Sequence, residues 1–446
     1  MIRHPKSPMP LPPVAERFLR YVQIDTQSDP KAEGTPSTEK QKDLSRLLLG
    51  ELQAMGLADV VMDDYGFVMA TVPATLPPEV AARAPVLALL AHLDTSPDAP
   101  GANVRPIVHP QYDGGVLVLP GDPTVLLDPA RQPALRRHIG HDLITSDGTT
   151  LLGSDDKAGV AVLMQLAADL LADPTVAHPT IRLCFTVDEE IGRGIDRLDL
   201  GVLGADVAYT LDGSDVNTIS METFNAVGAT ITVEGVMVHP GYAKGQMVNA
   251  IRILAELLTE LPADEAPETT EGDQGFYHPH QLPAGTAAQA QVKLILRDFD
   301  RDGIARRKAF LTRLVARYRR KYPQATIRLE LKEQYRNMRS YIEATDPRVL
   351  AMAQEAAARM GITLTEERIR GGTDGARLSE RGLPTPNIFN GGHDYHSRFE
   401  WNTVQNLEHT LAYTKHLVQV WATQVRRAGM PAWGSAEKTA PLPTLA

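Results

Sequence analysis

The sequence predicts an α/β protein with a smaller α+β domain inserted into it, and three observations carry that prediction. Residues 85–91, 181–187 and 207–211 are continuous apolar runs of the kind found in strands buried on both faces. Each run ends in a polar cluster: His92-Leu93-Asp94-Thr95, Asp188-Glu189-Glu190 and Asp212-Gly213. Helical segments separate the runs, and open sheets of this class bind ligands at the carboxyl ends of their strands.

Taken in order, the Pro-rich opening to Pro13 is expected as a loose arm, followed by helical spacing over residues 14–24. Thr38-Glu39-Lys40-Gln41 fits a capping box for a helix with Leu44, Leu47, Leu48, Leu52 and Met55 on its buried stripe and Gly56 as its stop. Residues 60–62 and 67–72 read as a hairpin turning at Asp64-Tyr65-Gly66. Residues 160–171 are apolar almost all round, as in a helix inside a large domain, and Asp155 and Asp156 stand at its positive N-terminus, where either suits a cap.

From about Ala226 the pattern changes. Residues 229–234 alternate, 248–261 are helical, 289–296 are strand-like, 304–322 form a basic amphipathic helix and 326–331 alternate again. That order suggests a ferredoxin-like α+β insertion. Helix is expected again at 347–360, strand at 386–389, and a long helix at 404–424. The implied domains are 1–225 and 338–426 for the larger one, 226–337 for the insertion, and a disordered tail over 427–446.

A chain of 446 residues exceeds what one core usually supports, so two domains are the default. With 43% hydrophobic and 22% charged residues the composition is that of an ordinary globular protein. A formal net charge of -10 argues against nucleic acid as a partner, because phosphate backbones call for clustered Lys and Arg. Cys184 is the one cysteine, so no intramolecular disulfide forms. Neither a signal peptide nor a bilayer-length apolar run is legible, which makes the cytoplasm the simplest expectation and membrane an unexpected partner.

His92, Asp94, Glu189, Glu190 and Asp212 lie at strand ends, and Asp155 lies at a helix mouth. Gathered on one sheet edge, such groups repel unless cations lie between them. Carboxylate oxygens with imidazole suit zinc, manganese or cobalt in a hydrolytic site. In His92-Leu93-Asp94 the carboxylate is spaced to orient the imidazole. The adjacent Glu189 and Glu190 diverge, so one can hold metal while the other carries a proton. His396, in Gly391-Gly392-His393-Asp394-Tyr395-His396, is the best candidate for the second imidazole.

Together, His92-Leu93-Asp94-Thr95-Ser96-Pro97-Asp98, Gly153-Ser154-Asp155-Asp156-Lys157-Ala158-Gly159, Asp188-Glu189-Glu190-Ile191-Gly192, Val238-His239-Pro240-Gly241 and Arg370-Gly371-Gly372-Thr373-Asp374-Gly375 resemble the peptidase T family. That family is the tripeptide aminopeptidase branch of the dinuclear zinc peptidases, related to aminoacylase, carboxypeptidase G and succinyl-diaminopimelate desuccinylase. The resemblance runs in order from about residue 14 to 423. It implies a zinc-peptidase-like mixed sheet flanked by helices, with the ferredoxin-like insertion as a lid and as the surface of a homodimer.

The resemblance also implies two Zn2+ per subunit, with Mn2+ or Co2+ as substitutes. Asp155 would bridge them, because the family's bridging Asp lies two before the Lys. His92 and Asp212 would complete one metal site, Glu190 and His396 the other. Glu189 would be the general base, Asp94 the partner of His92, and His239 the lid histidine that holds the oxyanion. Arg297, Asn337 and Arg370 stand at substrate-binding positions. The expected reaction is release of the N-terminal residue from tripeptides, and the alternative is hydrolysis of a dipeptide or an N-acyl amino acid at the same metals. A non-catalytic binding protein would lack a ligand or the base, and none is missing. Val187 replaces a common Pro of the family, and His393 adds an imidazole beside His396.

Overall fold

The computed structural model describes residues 10–425, so most of the opening arm and the tail after Arg427 lie outside the description. The chain divides into two compact units. One comprises the described residues up to Met221, Ser340–Glu367 and those from Thr373 onward; the other comprises Glu222–Arg339 and Arg368–Gly372.

In chain order, β1 (Val61–Met62), β2 (Val68–Val72), β3 (Leu87–His92), β4 (Ile181–Thr186), β5 (Val207–Gly213) and β6 (Thr218–Thr223) build the large sheet. The second unit holds β7 (Asn225–Glu234), β8 (Phe276–Gly285), β9 (Gln289–Asp298) and β10 (Thr326–Tyr335), and β11 (Thr365–Ile369) and β12 (Asn387–Phe389) complete the large sheet. The main helices are α1 (Pro13–Tyr21), α2 (Gln41–Ala54), α3 (Ser154–Ala172), α4 (Ala250–Leu258), α5 (Arg301–Lys321), α6 (Arg348–Arg359) and α7 (Val404–Trp421).

The large sheet is mixed, in the order β1-β2-β4-β3-β5-β12-β6-β11. Its centre, β3, runs parallel to both β4 and β5 and is buried along its whole length, as its unbroken apolar sequence requires. The register sets His92 opposite Thr186 and Leu90 opposite Thr210, so the chain leaves all three strands at one edge. Helix α3 packs on β3 and β5 and against α1 and α7, which is why almost every face of it is apolar.

Two local expectations fail for identifiable reasons. Helix α2 has Lys40 at its N-cap with no side-chain cap bond. The Gln41 side chain, expected to close a capping box, is buried and donates instead to Asp188 Oδ1 at 2.7 Å. In the second unit β8 was not legible: it carries Pro279 and Pro283, and its pairing with β9 is broken by irregularities around Gln281. Proline is tolerated there because β8 is an edge strand.

The second unit has the order β8-β9-β7-β10 with antiparallel pairing throughout, which together with α4 and α5 is the βαββαβ arrangement of a ferredoxin-like fold. Ile231, Ile253, Leu257, Leu294, Leu311 and Leu314 are central to its own apolar core. The basic helix α5 buries Leu311, Leu314, Val315 and Tyr318 together with Arg307, and turns its other arginines outward. Among the described residues no helix is long and apolar enough to cross a membrane.

Candidate active site

At the shared edge of β3, β4 and β5 the first unit gathers His92, Asp155, Glu190, Asp212 and His396. His92 Nε2 lies 2.9 Å from Asp155 Oδ1 and 3.5 Å from Asp212 Oδ1. His396 Nε2 lies 3.2 Å from Asp155 Oδ2 and 2.9 Å from Glu190 Oε2. Asp155 therefore offers one oxygen to each imidazole.

The two readings of the Asp pair, cap and ligand, divide between its members. Asp156 Oδ1 accepts from Gly159 N at 3.2 Å and from Asn390 Nδ2 at 3.0 Å, and its Oδ2 accepts from His92 N at 3.2 Å. It thus caps the continuing helix and ties it to β3. Only glycine fits at 159, since a Cβ there would lie 2.5 Å from Asp156 Oδ1. Gly153, at φ +84°, turns the chain into α3 just ahead of the pair.

Asp94 does more than the sequence suggests. Its two oxygens accept from Glu189 N at 3.0 Å and Glu190 N at 3.2 Å, fixing the loop after β4. The nearest partner of His92 Nδ1 is the Asp94 backbone carbonyl at 3.0 Å, with Asp94 Oδ1 at 3.5 Å. Orientation of the ring comes first from main chain and then from side chain. Asp188, at φ +60°, anchors the same loop by accepting from Ser37 N and Ser37 Oγ.

Two supports have no role in the sequence reading. Glu400, 1% exposed, accepts from Leu152 N and Gly153 N at 2.8 Å and from Asp155 N at 3.0 Å, so one carboxylate shapes the approach to α3. Nothing near Glu400 in the chain marks it. Buried Asp374 accepts from Thr186 Oγ1 at 2.8 Å at the end of β4. Its place in the Gly371-Gly372-Thr373-Asp374-Gly375 stretch was the available signal.

Burial works against the charge on His92, but hydrogen bonds to Asp155, Asp212 and Asp94 outweigh it and hold the pKa well above the usual imidazole value. His396 is likewise pushed up to about 12, because Asp155 and Glu190 overcome its burial. Asp155 stays well below the usual carboxylate range despite burial, held there by His396 and His92. Burial pushes Glu190 up to about 8, with the Asp155 charge adding to it, and pushes Asp212 up to about 6 against the pull of His92. Glu189 rises well above its ordinary value through burial and the Asp212 charge. The cluster holds extra protons because it is buried and its carboxylates outnumber the imidazoles that could pair with them.

This donor set fits a divalent cation. His92, Asp155 and Glu190 each offer a donor atom within 4.8 Å of the others, and so do His92, Asp156 and Asp212. Among the described residues buried Glu190 Oε1 has no hydrogen-bond partner. Such an orphaned oxygen is costly unless a cation or water meets it. His393 is not in this cluster: its Nε2 faces Asp215 Oδ1 at 3.5 Å.

The remaining candidates belong to the second unit. His239 Nδ1 accepts from Gly241 N at 3.1 Å, as a turn residue does, and that bond puts the ring proton on Nε2. Arg297 donates to Gln334 Oε1 at 3.0 Å and lies over the Tyr335 ring. Asn337 Nδ2 donates to Glu222 Oε2 at 3.3 Å and Phe299 O at 3.4 Å. Arg370 donates to Gly272 O at 2.7 Å and Thr270 Oγ1 at 2.9 Å, with its guanidinium over Phe224 and Phe276. These contacts explain why Arg368–Gly372, distant in sequence, joins the second unit.

Residues 221–326 match the family described as peptidase dimerisation domain. The chain is 46% identical over 392 residues to peptidase T of Geobacillus thermodenitrificans, covering 88% of this chain and 94% of that one. Among solved structures, a tripeptidase from Staphylococcus aureus matches with a TM-score of 0.72 at 23% identity, covering 92% of this chain and 98% of that one. A dinuclear metal-binding peptidase from Bacillus subtilis matches with a TM-score of 0.61 at 16% identity, again over 92% and 98%. At those identities the likeness is one of fold.

Proposed function

The chain belongs to the peptidase T family, and on that premise we propose that it is a metal-dependent aminopeptidase releasing the N-terminal residue from tripeptides. The observation that carries this reading is Asp155, set between His92 at 2.9 Å and His396 at 3.2 Å where three strands end. His92 and Asp212 would hold one divalent cation, Glu190 and His396 a second, and Asp155 both. Zinc suits these oxygen and nitrogen donors. When bound, such a pair supplies Lewis-acid charge and makes water more acidic.

Glu189 takes the proton of the attacking water and delivers it to the leaving amine. Burial and the Asp212 charge raise its proton affinity, which a base working near neutrality needs. Asp94, by accepting the N–H groups of both Glu189 and Glu190, keeps the proton carrier and the neighbouring ligand in fixed relation. His239 supplies an Nε2–H donor for the developing oxyanion, a contribution of about 3–4 kcal/mol where single donors have been removed in other enzymes. Arg297 and Arg370 offer planar forks to the peptide's C-terminal carboxylate, and Asn337 an amide to its backbone.

The match of residues 221–326 to a dimerisation domain supports pairing of two chains through the second unit. Light scattering on the purified protein checks that pairing. The decisive assay incubates the zinc-loaded protein with di-, tri- and tetrapeptides and identifies the end released. Free N-terminal residues from tripeptides are expected. Release from the C-terminus, or turnover of N-acyl amino acids alone, overturns the reading.

A further inference from the structure

A second group of imidazoles lies in the first unit, away from Asp155. His138 closes a short turn of helix, Pro133–His138; Asp215 follows β5; and His393 lies in the loop after β12. One ring nitrogen of each histidine and one Asp215 oxygen all lie within 4.8 Å of one another. His393 Nε2 stands 3.5 Å from Asp215 Oδ1. Two donors on one tetrahedral zinc, each about 2.0–2.1 Å from it, are separated by roughly 3.3 Å.

Among the described residues neither histidine makes a hydrogen bond through Nε2, and both nitrogens are buried. His138 is 3% exposed and the His393 side chain 10%. Unpartnered polar atoms at such depth call for an unseen ligand. Surrounding groups hold the donors in place. Arg137 pairs with Asp215 Oδ2 and leaves Oδ1 facing His393. His138 Nδ1 lies 3.3 Å from His141 Nδ1. The His393 ring stacks on Trp401 with centroids 4.1 Å apart. Burial pushes both His138 and His393 down to about 4, so the rings are neutral near pH 7 with lone pairs available, the state that metal ligation requires.

We propose that His138, Asp215 and His393 bind one divalent transition-metal ion of the zinc class, at a site separate from the cluster around Asp155. Two imidazoles and a carboxylate suit zinc with a position left for water; they offer too few oxygens for calcium or magnesium. Because His393 and His396 share one loop, an ion there also tethers the segment that carries His396.

The test counts zinc by mass spectrometry after chelator stripping, reloading and desalting. His138→Gln and His393→Gln are each expected to hold one equivalent fewer than wild type. In a His92→Gln/Asp155→Asn background, which disables the cluster around Asp155, adding His393→Gln should remove one further equivalent and abolish a zinc-induced rise in Tm. Natively folded His138→Gln and His393→Gln proteins with the wild-type zinc content overturn the proposal. So does a His92→Gln/Asp155→Asn protein that retains no zinc, a result obtained without altering either histidine of the new site. Peptide specificity does not enter these counts, so failure of the aminopeptidase reading leaves them standing.

Discussion

Around Asp155 carboxylates outnumber imidazoles, whereas around Asp215 imidazoles outnumber carboxylates, and burial acts on the two groups with opposite results. His92 and His396 are held protonated by the acids they touch, while His138 and His393, which share the single carboxylate of Asp215, itself paired with Arg137, are discharged by burial. Burial disfavours charge in both places; only a close opposite charge reverses its effect on an imidazole. The difference teaches that a histidine's state follows from the ratio of acids to rings around it rather than from depth alone.

The largest expected effect separates chemistry from metal holding. Glu189→Ala should lower kcat by roughly 10²–10⁴-fold with zinc content unchanged, as read by steady-state kinetics and metal analysis. Full activity would remove Glu189 from the mechanism and leave the acidic cluster as a binding feature only.

Next is the scaffold of that cluster. Glu400→Ala leaves the N–H groups of Leu152, Gly153 and Asp155 without their acceptor. Urea denaturation should show a loss of about 2–4 kcal/mol, since buried unsatisfied donors cost about 1–3 kcal/mol each and water can meet some of them. A loss below about 0.5 kcal/mol would mean that the approach to α3 holds its shape without this carboxylate.

The pH dependence of the metal-free protein sharpens the contrast further. Asp212 and Glu190 bind protons more tightly folded than unfolded, so their contribution is present below about pH 4 and is lost as pH rises through about 6 and about 8. His138 and His393 do the reverse: pushed down to about 4 from 6.5, they contribute above pH 6.5 and lose that contribution as pH falls through about 4. Thermal melts of His138→Gln/His393→Gln should lack part of the acid-side fall and keep the alkaline one. An unchanged acid limb would contradict the neutral state of the rings.

Arg137→Gln should have the smallest effect, less than about 1 kcal/mol on stability, because Arg137 is largely exposed. Because Arg137 holds Asp215 by Oδ2 and leaves Oδ1 toward His393, its loss should weaken zinc binding at the Asp215 group, measurable by competition with a chromophoric chelator. A rise would mean that the pairing only neutralises the carboxylate and does not aim it.

Several of these relationships were legible in the chain and several were not. The apolar runs ending in His92, Asp188 and Asp212 announce buried parallel strands with a polar edge, and β3, β4 and β5 lie there. The β8 strand escaped because its prolines suppress the strand signal and an edge position permits them. Residues without a local pattern, such as Glu400 and the Arg368–Gly372 segment, could not be seen in advance. Their partners lie far away along the chain.

The sequence by itself determined the residue types that could meet at the sheet edge and the family to which they belong, because strand burial and motif spacing are local properties of the polypeptide. Tertiary structure decided the division of labour: Asp156 as cap and Asp155 between the imidazoles, His396 with Glu190 and His393 with Asp215. Neighbouring side chains of one type are equivalent in a sequence and diverge only when strand register and helix packing give each a different set of charges to face.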